Sequence, residues 1–289
     1  MTQRPVASVD EYPLVPAPST HLTGRALGID IGGTGIKAAI VDLATGRLVT
    51  DRVRELTPRP ATPGTVMDVV ASVVQSLEGT GKLTPGMSGG AGFPSVMRAG
   101  RAMTATHGES SWIGEDVQQM LSKRLDRSIV VLNDADAAGV AELAYGAGKG
   151  QQGVVLLLDL GTGIGSALFV NGQLVPNMQL GHIELDGRDA ELSLSPSARK
   201  RRQVGWTRWA GEFNQLLARY EEYVWPDLII LGGGAAKDFP KFGQFLKTRA
   251  PLLAAAVGTS AGIVGAARVG GNPSQDAGGI SPRAARERG

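Results

Sequence analysis

Three segments of this chain join residue types that suit phosphate and hydroxyl chemistry. The first is Asp30-Ile-Gly32-Gly33-Thr34-Gly35-Ile-Lys37. A turn this rich in glycine lets backbone N–H groups and a hydroxyl close on an anion, because no Cβ stands in the way. The second, Asp159-Leu-Gly161-Thr162-Gly163, repeats the same order of residues. Asp30 and Asp159, each just ahead of its turn, suit Mg2+ held directly or through water. The third is Asn133-Asp134-Ala-Asp136, in which Asp134 is a candidate general base and Asn133 can orient a substrate hydroxyl. Each segment has a plainer meaning, since glycine hairpins are common and Asn and Asp are favoured helix caps. Two matched turns, with Gly232-Gly233-Gly234 as a third, favour phosphate binding.

Other patterns narrow the chemistry. Neither Gly148-Lys149 nor Gly81-Lys82 is followed by Ser or Thr, so there is no Walker A loop. Gly32 to Gly35 joins strand to strand, whereas a dinucleotide fingerprint joins strand to helix. Gly86-Met-Ser88-Gly-Gly90 satisfies the hydrolase elbow pattern but lacks the strand before it and the helix after it. Gln179-Leu-Gly181-His182-Ile-Glu184 mixes donors and acceptors as a polyol requires, although a lone His is more often structural. Arg199-Lys200-Arg201-Arg202 is ordinarily a solvated charge run, but beside a phosphate cleft it can track a polyanion.

These residues need a scaffold, and the apolar pattern supplies one. Ala26 to Ile31 and Ile36 to Val41 read as strands flanking the first glycine turn, with a third strand from Arg47 to Arg54. Pro63 behind Thr62, followed by Val66, Val70, Val73, Val74 and Leu77, predicts a helix; another is expected from about Glu115 to Leu125. Ser128 to Leu132 reads as a strand ending at Asn133-Asp134, with helix beyond. Trp206, Trp209, Phe213, Leu216, Leu217 and Tyr220 recur at helical spacing as a core face. The stretch Leu27 to Val41 recurs as Leu156 to Val170 once one glycine is gapped, so an α/β protein of two similar lobes around a cleft is expected. The small lobe spans 25–134, completed by a C-terminal helix near 260–269; the large lobe spans 135–259; loose tails cover 1–24 and 270–289.

Composition sets outer limits. With 289 residues, 42% of them hydrophobic, and no long uncharged apolar run or secretory signal pattern, a cytoplasmic globular protein without membrane contact is expected. There is no cysteine and there are only three histidines, His21, His107 and His182, which excludes disulfides and cysteine-held zinc and argues against a histidine cage. A net charge of +2 gives no reason to expect a nucleic-acid partner. Glycine makes up 41 of the residues, twice its usual share of roughly 7%, and is expected in specific turns.

In order, Asp30 to Lys37, Asn133-Asp134-Ala-Asp-Ala-Ala, Leu160 to Gly165, Gly181-His182 and Leu231 to Gly234 resemble the ROK family of sugar kinases, within the actin/hexokinase-like ATPase superfamily. The likeness covers about residues 25 to 268 and is nearest to the branch that uses polyphosphate as well as ATP. It implies a two-lobed ribonuclease H-like ATPase fold with an interlobe cleft, and a kinase that uses Mg2+ to phosphorylate the 6-hydroxyl of glucose. Asp134 then matches the catalytic base; Asn133 and His182 match sugar ligands, joined by Glu184 and by Phe93 near a sugar-side turn. Asp30, Gly32, Gly33, Thr34, Lys37, Gly161, Thr162 and Gly163 match the phosphate loops, Gly232 to Gly234 the nucleotide side, and Asp30 and Asp159 the Mg2+ site. Arg199, Lys200, Arg201 and Arg202 become a candidate polyphosphate track.

Two departures stand out. Many members carry a cysteine-rich zinc motif after Gly-His, which this chain lacks, so no zinc is expected. The family usually has Glu where this chain has Gln179, and glutamine both donates and accepts, which loosens the demand on the sugar 2-hydroxyl and predicts some use of mannose. A homodimer is a further expectation. The rivals are a kinase limited to ATP and a non-catalytic sugar sensor; the sensor's N-terminal helix-turn-helix does not fit the proline-rich first 24 residues.

Overall fold

The structure, a computed structural model, describes residues 22–106 and 108–271. The tails expected over 1–24 and 270–289 lie outside the described residues except for 22–24 and 270–271, and the last helix runs on through Gly270.

The first half opens with the hairpin β1 (Arg25–Ile31) and β2 (Ile36–Asp42), antiparallel in the register Ile31 opposite Ile36. Alternation decides the faces. Leu27, Ile29, Ile31, Ile36, Ala38 and Ile40 join one core cluster, while Ala26, Ala39 and Val41 join another on the opposite side. Of the expected third strand, Arg47 to Arg54, only Val53 and Arg54 fall in β3 (Val53–Glu55). Upstream of it Thr50 Oγ1, rather than a strand carbonyl, accepts from Ile40 N at 3.1 Å, which interrupts the ladder. Then come α1 (Pro63–Glu78), β4 (Gly89–Phe93), the short pair β5 (Met97–Arg98) and β6 (Arg101–Ala102), α2 (Val117–Leu125), β7 (Ile129–Asn133) and α3 (Asp134–Tyr145). Helix α1 starts at Pro63 and buries Val66, Val70, Val73, Val74 and Leu77 against the sheet, as their spacing predicts. Ser88 precedes strand β4, so the hydrolase-like pattern forms no elbow.

The second half repeats the plan. A hairpin of β8 (Val154–Leu160) and β9 (Ile164–Val170) is followed by β10 (Gln173–Val175), a small hairpin β11 (Glu184–Leu185) and β12 (Arg188–Asp189), and helices α4 (Ala190–Leu194), α5 (Pro196–Arg201) and α6 (Trp206–Tyr223). The described residues close with β13 (Leu228–Gly232), α7 (Phe239–Phe242), β14 (Leu252–Ala254) and α8 (Ala261–Gly270). The two five-stranded sheets run β3-β2-β1-β4-β7 and β10-β9-β8-β13-β14, so each is a hairpin plus a third antiparallel strand on one side and two parallel strands on the other. The expected face of α6 is buried from Trp209 through Tyr220, while Trp206 stacks on Phe242 at 4.8 Å between ring centres.

Helices α3 and α8 lie against each other, α8 on β1 and β4 and α3 on β9. Their approach explains part of the glycine excess in a way turns do not. A Cβ at Gly265 would overlap the Ala137 carbonyl of α3, and one at Gly28 or Gly90 would overlap α8 carbonyls at Ile263 and Ala266. No helix among the described residues is long and apolar enough to cross a membrane.

Candidate active site

A cleft of about 1100 Å3 opens between the two sheets, lined by both glycine turns, by Asn133 and Asp134, by Gln179 and His182, and by Gly232 to Gly234. That is at the upper end of the size of small-molecule sites, enough for a sugar and a chain of phosphates together. The two turns are built alike. Gly32 N donates to Gly35 O at 3.2 Å, and Gly161 N to Gly163 O at 3.1 Å. Glu191 supports the second turn by accepting from Ile164 N at 2.8 Å, and Ser197 donates to the Thr162 carbonyl. Gly233 adopts φ 72°, and a Cβ there would collide with Asp159 Oδ1, so the third glycine segment rests on the second turn's carboxylate.

Three carboxylates face one another across the floor. Lys37 Nζ lies 2.7 Å from Asp30 Oδ2. Asp159 is raised to about 6, first by burial and then by the negative charge of Asp30, with Lys37 opposing. Asp134 is raised to about 7 by burial and by the charges of Asp159 and Asp30, against the pull of the Ala135 N–H, which Oδ1 accepts at 2.9 Å. A carboxyl that titrates near neutral pH suits a general base.

Asn133 turns out to be the cap of α3. Its Oδ1 accepts from Ala135 N at 2.9 Å and Asp136 N at 3.2 Å, and its Nδ2 donates to Ser95 O at 3.1 Å. One amide hydrogen remains for a sugar hydroxyl. Asp136 is buried and raised to about 7, chiefly by burial. Its Oδ2 accepts from Asn177 N at 2.8 Å, and the Asn177 side chain in turn pairs with both backbone polar groups of Met97.

His182 has a partner the sequence analysis missed. Its Nδ1 lies 2.8 Å from Asp189 Oδ2, which leaves Nε2 for the cleft. Asp189 arrives there because β11 and β12 close through Asp186 and Gly187, both at positive φ. An Asp-Gly pair between two short strands is a recognised hairpin signal, so this contact was legible. The same hairpin carries Glu184 along β11, exposed and off the cleft lining. Phe93 is also off it: the ring is fully buried, edge-on to Trp112 at 4.8 Å, and its neighbours Pro94, Ser95 and Val96 line the cleft instead.

The basic run does not reach the cleft wall either. Arg199 stacks 3.7 Å above Trp206, and Arg202 is bound to both oxygens of Glu212, which also pairs with Arg208. The neutralising acid comes from α6, out of sight of a local count of charge. The cations that do line the cleft are Lys37, Arg52, Arg54 and Lys237, of which only Lys37 was anticipated.

No group of three or more His, Asp or Glu among the described residues is arranged to hold a metal. Mg2+ needs no such cage, since it keeps several waters and takes one or two carboxylates plus substrate phosphates. Asp30 and Asp159, facing each other beside the turns with one of them unpaired, fit that pattern.

The match to known proteins decides the family: residues 26–199 fit the ROK family. The chain belongs to the ROK family. A polyphosphate glucokinase of Mycobacterium tuberculosis is 42% identical over 251 residues, 86% of this chain and 92% of the relative. The crystal structure of an inorganic polyphosphate/ATP-glucomannokinase from Arthrobacter sp. strain KM superposes with a TM-score of 0.81 at 43% identity, covering 85% of this chain and 97% of that one. A ROK glucokinase from Streptomyces griseus, in complex with glucose and AMPPNP, shares the fold at 23% identity, a TM-score of 0.72, and coverage of 86% and 99%. The two matched sheets around the cleft are therefore the actin/hexokinase-like ATPase fold of ROK sugar kinases.

Proposed function

We propose that this protein is a sugar kinase that moves a terminal phosphoryl group from polyphosphate or ATP to the 6-hydroxyl of glucose, and also accepts mannose. The observation that carries this reading is the position of Asp134 on the cleft floor, at the start of α3, facing both glycine turns. Relatives at 42% and 43% identity named for polyphosphate support the choice of donor.

In this reading the turns at Gly32 to Thr34 and Gly161 to Gly163 cradle the donor phosphates with backbone N–H groups. His182, fixed through Asp189, and the remaining Asn133 amide hydrogen hold sugar hydroxyls, and Gln179 meets the 2-hydroxyl. Asp134 takes the proton from the 6-hydroxyl as its oxygen bonds to phosphorus and the bond from phosphorus to the donor chain breaks. Asp30 and Asp159 would hold Mg2+, which when bound would neutralise charge on the phosphates. Gly232 to Gly234 flank the adenosine when ATP is the donor. The small lobe over 25–134, completed by α8, and the large lobe over 135–259 then supply one wall each. A cytoplasmic setting, where ATP and Mg2+ are both plentiful, goes with this reading.

The test is an assay coupled to glucose 6-phosphate, with glucose, Mg2+ and either ATP or long-chain polyphosphate as sole donor. Turnover with each is expected; turnover with ATP alone would remove polyphosphate from the reading, and turnover with neither would overturn it.

A further inference from the structure

A long polyphosphate needs more than a site for its terminal phosphate, because each further phosphate carries charge that must be met along the cleft. Three cationic side chains on the cleft wall form no salt bridge among the described residues: Arg52, Arg54 and Lys237. The contrast with Arg202, whose Nη2 donates to both carboxylate oxygens of Glu212, is direct.

The two arginines form a continuous feature. Arg54 lies across the first phosphate turn: its Nη2 donates to Thr34 O at 3.2 Å, and a Cβ on Gly35 would come within 2.7 Å of its Nε. The bare backbone at Gly35 is thus what lets the guanidinium lie flat beside the turn. One step along the same edge, Arg52 Nη1 donates to the Thr259 carbonyl at 3.2 Å and its hydroxyl at 3.1 Å, just ahead of α8. Each guanidinium carries five N–H donors in a planar fork, and these protein contacts occupy only one nitrogen of each. Two forks therefore run from the first turn toward the start of α8, with Lys237 beyond Gly234 on the other lobe.

We propose that polyphosphate beyond the transferred group lies along Arg54 and Arg52, with Lys237 opposite, and that Arg199 to Arg202 take no part. This rests on the donor reading above. ATP needs these groups less, because past its third phosphate it continues as an uncharged nucleoside.

The test compares wild type with Arg52→Gln/Arg54→Gln and with Lys200→Gln/Arg201→Gln, using long-chain polyphosphate, tripolyphosphate and ATP as donors. For the first variant the KM for long-chain polyphosphate is expected to rise about tenfold or more and that for ATP less than about threefold, with a shallower dependence of log KM on log salt. The second variant should stay within about twofold of wild type on every donor, as surface charges away from a site do. Turnover with ATP certifies that each variant is folded. Equal rises for ATP and polyphosphate, an unchanged KM in the first variant, or a rise confined to the second would each overturn the proposed path while leaving the donor reading intact. Failure of wild type itself on polyphosphate would remove both.

Discussion

Asp30 is ion-paired across its own hairpin to Lys37 at 2.7 Å, whereas the matching carboxylate in the second hairpin, Asp159, stands opposite Gly165. The repeat is thus broken where the two copies meet the cleft. A side chain at Gly165 would strike Ala135 at the start of α3, so the glycine both withholds a cation and makes room for the helix that carries Asp134. One carboxylate is neutralised by the protein, and the other has no salt-bridge partner among the described residues.

From this asymmetry Asp159→Asn is expected to raise the Mg2+ concentration for half-maximal activity by about 10- to 100-fold, the scale seen when supporting carboxylates of metal sites are removed. A Mg2+ titration of initial rate checks it, and an unchanged curve would take Asp159 out of the metal site.

Asp134→Asn is expected to lower kcat by at least about 10² to 10⁴, the usual worth of a positioned general base. The glucose 6-phosphate assay, run beside a thermal melt to establish folding, reads it. Near wild-type turnover would mean that another group takes the proton.

The same residue predicts how stability varies with pH in metal-free buffer. Unfolded, Asp134 loses its proton near pH 4; folded, it keeps it until about 7. Between those values the folded state binds more protons, so Asp134 makes the protein less stable as pH rises from about 4 to about 7. Asp134→Asn removes that loss. The variant's Tm should therefore gain on wild type across this window and level off above it, and a difference independent of pH would contradict the raised value. Added Mg2+ should shrink the gain, because a cation nearby favours the ionised form.

Gln179→Glu is expected to raise the ratio of kcat/KM for glucose over mannose several-fold, since a carboxylate only accepts while the amide serves either orientation of the 2-hydroxyl. Parallel kinetics with the two sugars decide this, and an unchanged ratio would end the role assigned to Gln179.

Glu142 is fully buried and accepts from Ala147 N at 2.9 Å, Ala256 N at 3.0 Å and Val257 N at 2.7 Å, tying α3 to the segment after β14. Glu142→Ala takes the acceptor from three part-buried backbone donors and should cost about 1 to 3 kcal/mol. Urea denaturation measures the loss; a midpoint near wild type would mean that the segment finds other partners.

The hairpin repeat, α1, α6 and the strand ending at Asn133 were legible because each rests on local spacing or on a capping residue. The late start of β3 was not, because it depends on Thr50 reaching across to Ile40. At the site, the residues set by the chain itself could be found: the glycine turns, their aspartates and Asp134. What needed the fold was everything decided by a distant partner: Glu212 quenching Arg202, Phe93 drawn into the core by Trp112, and Arg52 and Arg54 brought to the cleft beside Thr259 and Thr34. Asp189 lies between these cases, since its Asp-Gly hairpin was written in the sequence.

The glycine contact between α3 and α8 has one more consequence. Where Gly265 rests on the Ala137 carbonyl, the two helices meet backbone to backbone. Such a contact is an axle. If one sheet swings against the other, the rim of the cleft travels farthest and the axle itself least. Asp134 sits at the tip of α3, one helical turn from Ala137. In such a swing Asp134 would stay close to the still centre, while Arg52 and Lys237, which line the cleft from the first and second halves of the chain, would be carried toward or away from each other.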